Sequence, residues 1–592
     1  MTTLTNEPTE VYPCLGYSQS AGRQPPTIGM TFMRMPRTVP GQEDSGQETS
    51  GQETSGPRAA RSGMTGAATT GSGAAGSGAA GGRLRNAARR GSRLILAARR
   101  HWLFSILLLA GLVLRVLAQL AYRPALLYID SVKYLYNGWP GTDPVGYKVP
   151  LKVILLFGNL ETVAAVQHLL GLAMAMTIYA MLLRRGAPRW LAALAVAPVL
   201  LDAYQLQIEQ TIMPDVWFEG VIVAGLGLLL WRPRPSLWLT VAAGLALGAS
   251  ATIRQIGEIL VLPALIYLLI VAGGWRRAVV GATALCAAFA VPILLYCGIA
   301  YAATGHFRLS RSGATSGVYG RMGEAADCAT LKLPAYERGL CPTARQKALG
   351  PDGLEHSENS PLSLYVAPSG HSRSHYVSSF NRAVLTQQPL SVLSSVASDA
   401  AKLFAVKRAT SPGDTPIWRW QFQDNYPTYG QAISLSPAHV IVVGLKNQLA
   451  GGGYRYQPLD PSMGGSATIV PALANFLRHY QLEGGFTPGP VYLLAVIAGL
   501  IGSVSVARRG RGAAERQLAL ACLLFFSSAA AVLIASDVFE FSWRYQLPAL
   551  VTLPPAGALG IAVIISAVKR RRNGPPGQDA PGQVSELTAP AR

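Results

Sequence analysis

The sequence predicts an α-helical multi-span membrane protein of about ten transmembrane helices, with a large extracytoplasmic mixed domain and a disordered N-terminal tail. Three observations lead there. Half of the 592 residues are apolar and only 14% are charged, with a mean hydropathy of +0.28. That is too apolar for a soluble chain of this size and too polar for one embedded throughout. Apolar runs of about 20 residues, enough to cross a bilayer core, recur along the chain. The basic excess, 51 Lys and Arg against 30 Asp and Glu, gathers at the ends of those runs, which is the mark of membrane orientation rather than of nucleic-acid binding.

Residues 1–82 contain "GQEDSGQETSGQETSG" and then "TGAATTGSGAAGSGAAGG", with too few large apolar side chains to offset the entropy of ordering, and are expected to be a disordered cytoplasmic tail. No signal peptide precedes the first apolar run, so that run should be a retained anchor. Seven arginines from Arg83 to Arg100 form a basic juxtamembrane segment, 83–101, which should hold the N-terminus in the cytoplasm and touch anionic membrane lipid.

The predicted spans are 102–121, 163–183, 190–208, 214–231, 237–253, 256–274, 278–302, 488–507, 517–536 and 545–567. With the N-terminus inside, the even connections carry "RRGAPR", "RPR", "WRR" and "ARRGRGAAER", and the tail 568–592 opens with "KRRRN". Ten spans with both termini cytoplasmic, in the plasma membrane, agree with every strong basic cluster. Two runs are weak: 190–208 ends in the polar "LLDAYQLQI", and 237–253 is short.

This topology leaves two long segments outside. One is the first loop, 122–162, within a first module of spans, 102–302. The other is 303–487, which precedes the last three spans, 488–567. In the second, "DCATLKLPAYERGLCP" holds Cys328 and Cys341. A bridge between them suits the oxidising side of a membrane and would contribute roughly 3 kcal/mol in the chain-entropy model. Cys286, Cys297 and Cys522 fall in spans and read as buried apolar residues. The sequence has no Cys/His pattern of a zinc site.

Ionisable residues recur at the outer ends of the spans: Asp130 and Lys133 in the first loop, Glu209 and Asp215 in "QIEQTIMPDVWFEG", Arg254 in "ATIRQIGE", and Glu540 and Arg544 in "DVFEFSWRYQLP". Each could snorkel to the headgroups. Acids in two connections and arginines in two others instead suggest an outer cavity carrying both signs of charge. A carboxylate can take a proton from an attacking hydroxyl, and arginines can hold a departing phosphate as its charge grows. Together they describe sugar transfer from a lipid-phosphate donor, and no phosphate-loop, dinucleotide or Ser-His-Asp pattern competes.

The motifs "YIDSVKY", "GYKVPLKVILLFG", "QHLLGLAMAMTIYAMLLRRG", "LLDAYQLQIEQTIMPDVWFE", "ATIRQIG" and "RYQLPALVTLPP" resemble, in order and side, the GT-C class of integral-membrane glycosyltransferases. The resemblance lies near the bacterial relatives of protein O-mannosyltransferases and aminoarabinose transferases and covers about 100–303 and 488–567. It implies that Asp130 is the catalytic base and that a polyprenyl-phosphate sugar is the co-substrate. Arg254, Arg544, Arg115 and Lys133 are the candidates for the donor phosphate, and Glu209 and Asp215 for a second, acceptor-side acid. Many relatives carry a second acid directly beside the base. Ser131 stands there instead, so a divalent metal is left open and no other cofactor is implied. The acceptor is a protein, a polysaccharide or a lipid.

Other residues carry two readings. Asp130 could be a loop acid held by Lys133; Lys133 and Asn137 share its face if 128–138 is helical, with Tyr134 at i+4. Asp143 reads as a turn residue before Pro144. Arg115 either snorkels or reaches the donor phosphate, and His168 reads as a hydrogen-bonded helix residue rather than a base. The aromatic stretch "IWRWQFQDNYPTY" (417–429) could stack on sugar rings or form an interfacial belt. Two competing functions remain: a transporter or flippase of lipid-linked or polar substrates, and a non-catalytic scaffold with an outer binding domain. A transporter would place polar or broken helices at mid-membrane, where these runs are nearly free of acids. A scaffold would tolerate changes at Asp130.

Overall fold

All ten apolar runs are helical in the computed structural model, which describes residues 99–128, 130–135, 144–310, 313–370, 372–424, 433–436, 439–442, 455–458, 468–508 and 512–572. The tail 1–82, most of the basic segment, Asn137, Asp143 and everything from 573 onward lie outside the described residues. Apart from Arg99 and Arg100, the described residues belong to one unit.

Six helices are long and apolar enough to cross a membrane: Trp102–Ala121, Leu160–Arg184, Trp275–Thr304, Gly489–Ala507, Ala513–Phe539 and Pro548–Arg570. A seventh crossing is available if Arg189–Leu201 and Ala203–Gln210, bent by 49° at their junction, act as one. The remaining apolar runs form shorter pieces. Asp215–Leu230 starts after Pro214, and Leu237–Ile253 stops at Arg254, whose extended backbone (φ −140°, ψ 129°) breaks the helix. A 3₁₀ turn, Gln255–Leu260, then leads into Val261–Val271. At 1.5 Å per residue, a 17-residue helix reaches only about 26 Å.

Burial follows the pattern of a bundle in lipid. Pro548–Arg570 is the most enclosed of the six, 67% buried, and Trp275–Thr304 the least, 17%. Leu294 and Leu295 on the latter, like Leu109 and Val113 on the first helix, point away from the protein, as expected where the solvent is hydrocarbon. The polar "DAYQLQIEQ" portion of the bent pair faces inward: every residue of Ala203–Gln210 is buried. Asp202 caps that helix, accepting from the Tyr204 N–H at 3.0 Å, and Asn159 and Thr162 close a capping box at the start of Leu160–Arg184.

Between the Trp275–Thr304 and Gly489–Val504 helices, the described residues form short helices around a second apolar core. Tyr319, Phe380 and Val384 are its centre. Cys328 and Cys341 are bonded there, with Cα atoms 6.0 Å apart. Ile433–Ser436, His439–Val442 and Arg455–Pro458 make a three-stranded antiparallel sheet. A two-residue strand pair, Tyr122 with Ile469 and Arg123 with Thr468, ties the end of the first long helix to this region.

Candidate active site

The loop bearing Asp130 is fixed from two sides. Leu126 forms a parallel bridge with Thr211, through Leu126 N–H to Gln210 O and Ile212 N–H to Leu126 O, both 2.9 Å. Ser131, fully buried, donates its hydroxyl to Ile212 O and accepts from the Tyr128 N–H, both 2.8 Å. Thus the serine that stands in place of a second acid serves as a clamp between the first loop and the turn carrying Asp215. Gly146 donates to Thr252 O at 2.8 Å, and a Cβ there would lie 2.6 Å from that oxygen. Only glycine allows the loop this close to the backbone preceding Arg254.

These constraints gather residues from four remote connections around one cavity of about 480 Å³, lined by Asp130, Lys133, Arg254, Glu540 and Arg544 among others. Five charges alternate in one chain, of which Asp215 is buried and the other four line the cavity. Lys133 Nζ lies 3.4 Å from Asp130 Oδ1, and Arg544 Nη1 donates to Asp130 Oδ2 at 2.9 Å. Arg544 Nε lies 3.1 Å from both oxygens of Asp215, and Arg254 donates to Asp215 Oδ1. Arg544 also sits over the rings of Trp420 and Tyr545, at 5.2 and 5.5 Å, and Arg254 over Tyr545 at 4.4 Å. Such stacking suits guanidinium rather than ammonium.

Burial pushes the Asp130 carboxyl up, but Lys133 and Arg544 outweigh it and hold the group well below the usual carboxylate range. Asp130 is therefore ionised, and its partners neutralise its charge without covering it: 29% of the side chain stays exposed. Burial lowers and the two aspartates raise the Arg544 guanidinium, with a net rise, so it stays charged.

Asp352, Glu355, His356 and Glu540 form a second, mostly acidic group in the lining. His356 Nδ1 lies 3.1 Å from Asp352 Oδ1, one helical turn away. Burial and the neighbouring Asp352 push the Glu540 carboxyl up to about 8.

Two of the predicted donor-phosphate and acid candidates are elsewhere. Arg115, 2% exposed, donates to Glu209 Oε1 at 2.8 Å and to the carbonyls of Leu200 and Val199 at 2.9 and 3.0 Å. It neither snorkels nor reaches the cavity. Glu209 is also buried and meets His168 Nδ1 at 2.9 Å; His168 Nε2 meets Gln210 Oε1 at 2.8 Å. Arg115, Glu209 and His168 form a polar knot inside the bundle. A Cβ on Gly171 would lie 2.1 Å from Glu209 Oε1, so the knot depends on that glycine.

The cavity also includes Tyr128, Arg419, Trp420, Asp352 and His356, none singled out individually from sequence. Arg419 and Trp420 lie in the quoted aromatic stretch, where arginine between two tryptophans was the available signal. Asp352 and His356 stand at i, i+4 in "PDGLEH". Among the described residues, no group of three or more His, Cys, Asp or Glu side chains is placed to hold a metal ion.

No protein-family model matches the sequence, and no curated protein matches it. Solved structures do. One is the Saccharomyces cerevisiae protein O-mannosyltransferase Pmt1–Pmt2 complex bound to the sugar donor, with 17% identity, a TM-score of 0.28, and 36% of this chain and 35% of that one covered. Another is the Archaeoglobus fulgidus oligosaccharyltransferase AglB in complex with an inhibitory peptide and a dolichol-phosphate, with 11% identity and a TM-score of 0.34. A structure of the A. fulgidus oligosaccharyltransferase tethered to an acceptor peptide gives 11% and 0.35. In these two, 80% of this chain covers 52% and 50% of the solved one. The protein thus spans about half the length, or less, of the structures it is similar to.

Proposed function

We propose that the protein is a membrane glycosyltransferase that moves a sugar from a polyprenyl-phosphate-linked donor to an acceptor hydroxyl at the outer face of the plasma membrane. The ten apolar helices are then ten crossings with both termini cytoplasmic, and residues 303–487 lie outside. The observation that carries this reading is the alternating chain Lys133, Asp130, Arg544, Asp215, Arg254, all but the buried Asp215 lining the cavity.

In this mechanism Asp130 is the base. Its low basicity suits a proton taken late, once the acceptor oxygen has begun to bond to the sugar carbon and its proton has become acidic. The bond from that carbon to the phosphate oxygen breaks as the new one forms, and the growing phosphate charge is met by the cations of the cavity. Lys133 and Arg254 serve here, with Arg544 acting chiefly to aim Asp130. Asp215, paired with both arginines, is a positioning residue. The acceptor, a protein, polysaccharide or lipid, is taken from the wall of Asp352, Glu355 and His356.

The test is to incubate the purified full chain with radiolabelled polyprenyl-phosphate monosaccharides. Loss of label from one lipid donor, abolished in Asp130→Asn, is the expected result. Retention of label on every donor offered with a cell-envelope extract as acceptor source would remove the assignment.

A further inference from the structure

The cavity contains a cation that makes no direct ion pair with any described carboxylate. Lys133, Arg254 and Arg544 each have an aspartate partner. Arg419 lines the same cavity, yet no ion pair joins it to any described carboxylate. Its side-chain hydrogen bond runs from Nη1 to the neutral hydroxyl of Tyr128 at 3.3 Å, near the long limit for such a contact. A guanidinium has five N–H donors in a planar fork suited to phosphate oxygens, and most of this fork is uncommitted.

Its backbone is held in place. Arg419 lies on the 3₁₀ turn Ile417–Trp420. Ile417 N–H donates to Thr410 Oγ1 at 2.9 Å, and buried Trp420 packs on Tyr128 with ring centroids 4.6 Å apart. Binding an anion there would cost little ordering entropy. The chain of five charges sums to +1 by formal count, three cations against two carboxylates, and Arg419 adds a further positive charge to the lining of the cavity.

Resting on the transfer reaction proposed above, we infer that Arg419 is the principal contact for the donor's phosphate. The ligand class is a lipid-borne phosphate anion, and the segment between the Trp275–Thr304 and Gly489–Val504 helices supplies part of the donor subsite as well as the acceptor wall. Arg544, with two aspartates already engaged, is displaced from that role.

The experiment is calorimetric titration of farnesyl phosphate into the full chain in detergent, for wild type, Arg419→Gln, Arg419→Lys and Tyr128→Phe, with farnesol and phosphatidylglycerol as separate arms. Loss of a charge-assisted contact should weaken farnesyl phosphate at least about tenfold in Arg419→Gln, and less in Arg419→Lys. Tyr128→Phe should stay near wild type, and farnesol should not distinguish the variants. Equal farnesyl phosphate affinity in wild type and an Arg419→Gln protein of unchanged melting temperature would overturn the assignment. So would phosphatidylglycerol competing as well as farnesyl phosphate, because the site would then belong to bulk lipid. Arg419-dependent binding in a chain that releases no sugar would sink the transfer reaction and keep the phosphate site. Sugar transfer unaffected by Arg419→Gln would sink the phosphate site alone.

Discussion

Arg544 joins Asp130 to Asp215 through one guanidinium, donating from Nη1 to the first at 2.9 Å and from Nε to both oxygens of the second at 3.1 Å. The donors on its planar head are directed at carboxylates on two loops more than 80 residues apart in sequence. The base and its support are therefore a single rigid unit, and disturbing one member should be felt by the others.

Asp130→Asn keeps the shape of the side chain and removes the proton acceptor. Sugar transfer should fall by about 10²–10⁴, the usual scale for loss of a general base. Expression, membrane insertion and farnesyl phosphate binding should be nearly unchanged. A folded Asp130→Asn protein turning over at the wild-type rate would take Asp130 out of the mechanism.

Arg544→Lys retains the charge but cannot reach both aspartates in the observed geometry. Turnover should drop by about tenfold or more, since misplacing a reacting group by about 1 Å is enough to cost 10²-fold. The effect belongs in kcat more than in KM. Wild-type turnover in the Lys and Ala variants of both Arg544 and Arg254 would reduce these residues to helix anchors.

The pH profile provides a third check. The folded Asp130 carboxyl is lowered, so the ionised, active form persists as pH falls and is lost only below the ordinary carboxylate range. The acid limb of kcat/KM should accordingly lie below about pH 4. Lys133→Gln removes one stabilising cation and should move that limb to higher pH. An unmoved limb in Lys133→Gln would show that another group governs it.

Inside the bundle, Gly171→Ala puts a methyl where Glu209 Oε1 lies. Breaking the Arg115–Glu209 pair should destabilise the protein by about 3–5 kcal/mol, read as a lower melting temperature in detergent. The surviving folded fraction should keep its acid limb. A stable Gly171→Ala protein would mean that the knot repacks at little cost.

Topology is tested by labelling single cysteines from outside intact cells. Residues introduced at 320–370 should react, and those at 184–189 or 508–516 should not. Reaction at 508–516 would break the ten-span arrangement and move Arg544 to the wrong face.

Hydropathy made the helices legible because each membrane helix must satisfy its backbone internally and present apolar side chains outward. The same smoothness concealed where helices stop. The bend at Asp202 interrupts a run read as a single span, 190–208. At the site, Asp130, Asp215, Arg254 and Arg544 could be grouped from sequence because each stands at the end of an apolar run. Glu209 has the same signature, and Arg115 stands inside the first run, but both turn inward, beside Gly171, which no one-dimensional pattern encodes. Arg419, Asp352 and His356 escaped for the opposite reason, since they come from a segment without a strong period and reach the cavity only through its folding.

Asp202 has one more relationship of consequence. Besides capping its helix, it accepts from Arg408 Nη2 at 2.7 Å and from the Thr487 N–H at 2.8 Å. Arg408 and Thr487 therefore meet at one carboxylate, which holds the two ends of the intervening stretch together at the start of the Ala203–Gln210 helix. A segment whose ends already meet can be lengthened, shortened or exchanged at small entropic expense. Because this stretch brings Arg419 and Trp420 to the cavity but not Asp352, Glu355 or His356, exchanging it would rewrite the donor side like an interchangeable cassette while the acceptor wall, the membrane helices and the Asp130 loop stay as they are. A chimera grafted at Arg408 and Thr487 would be the way to move one donor preference onto another scaffold.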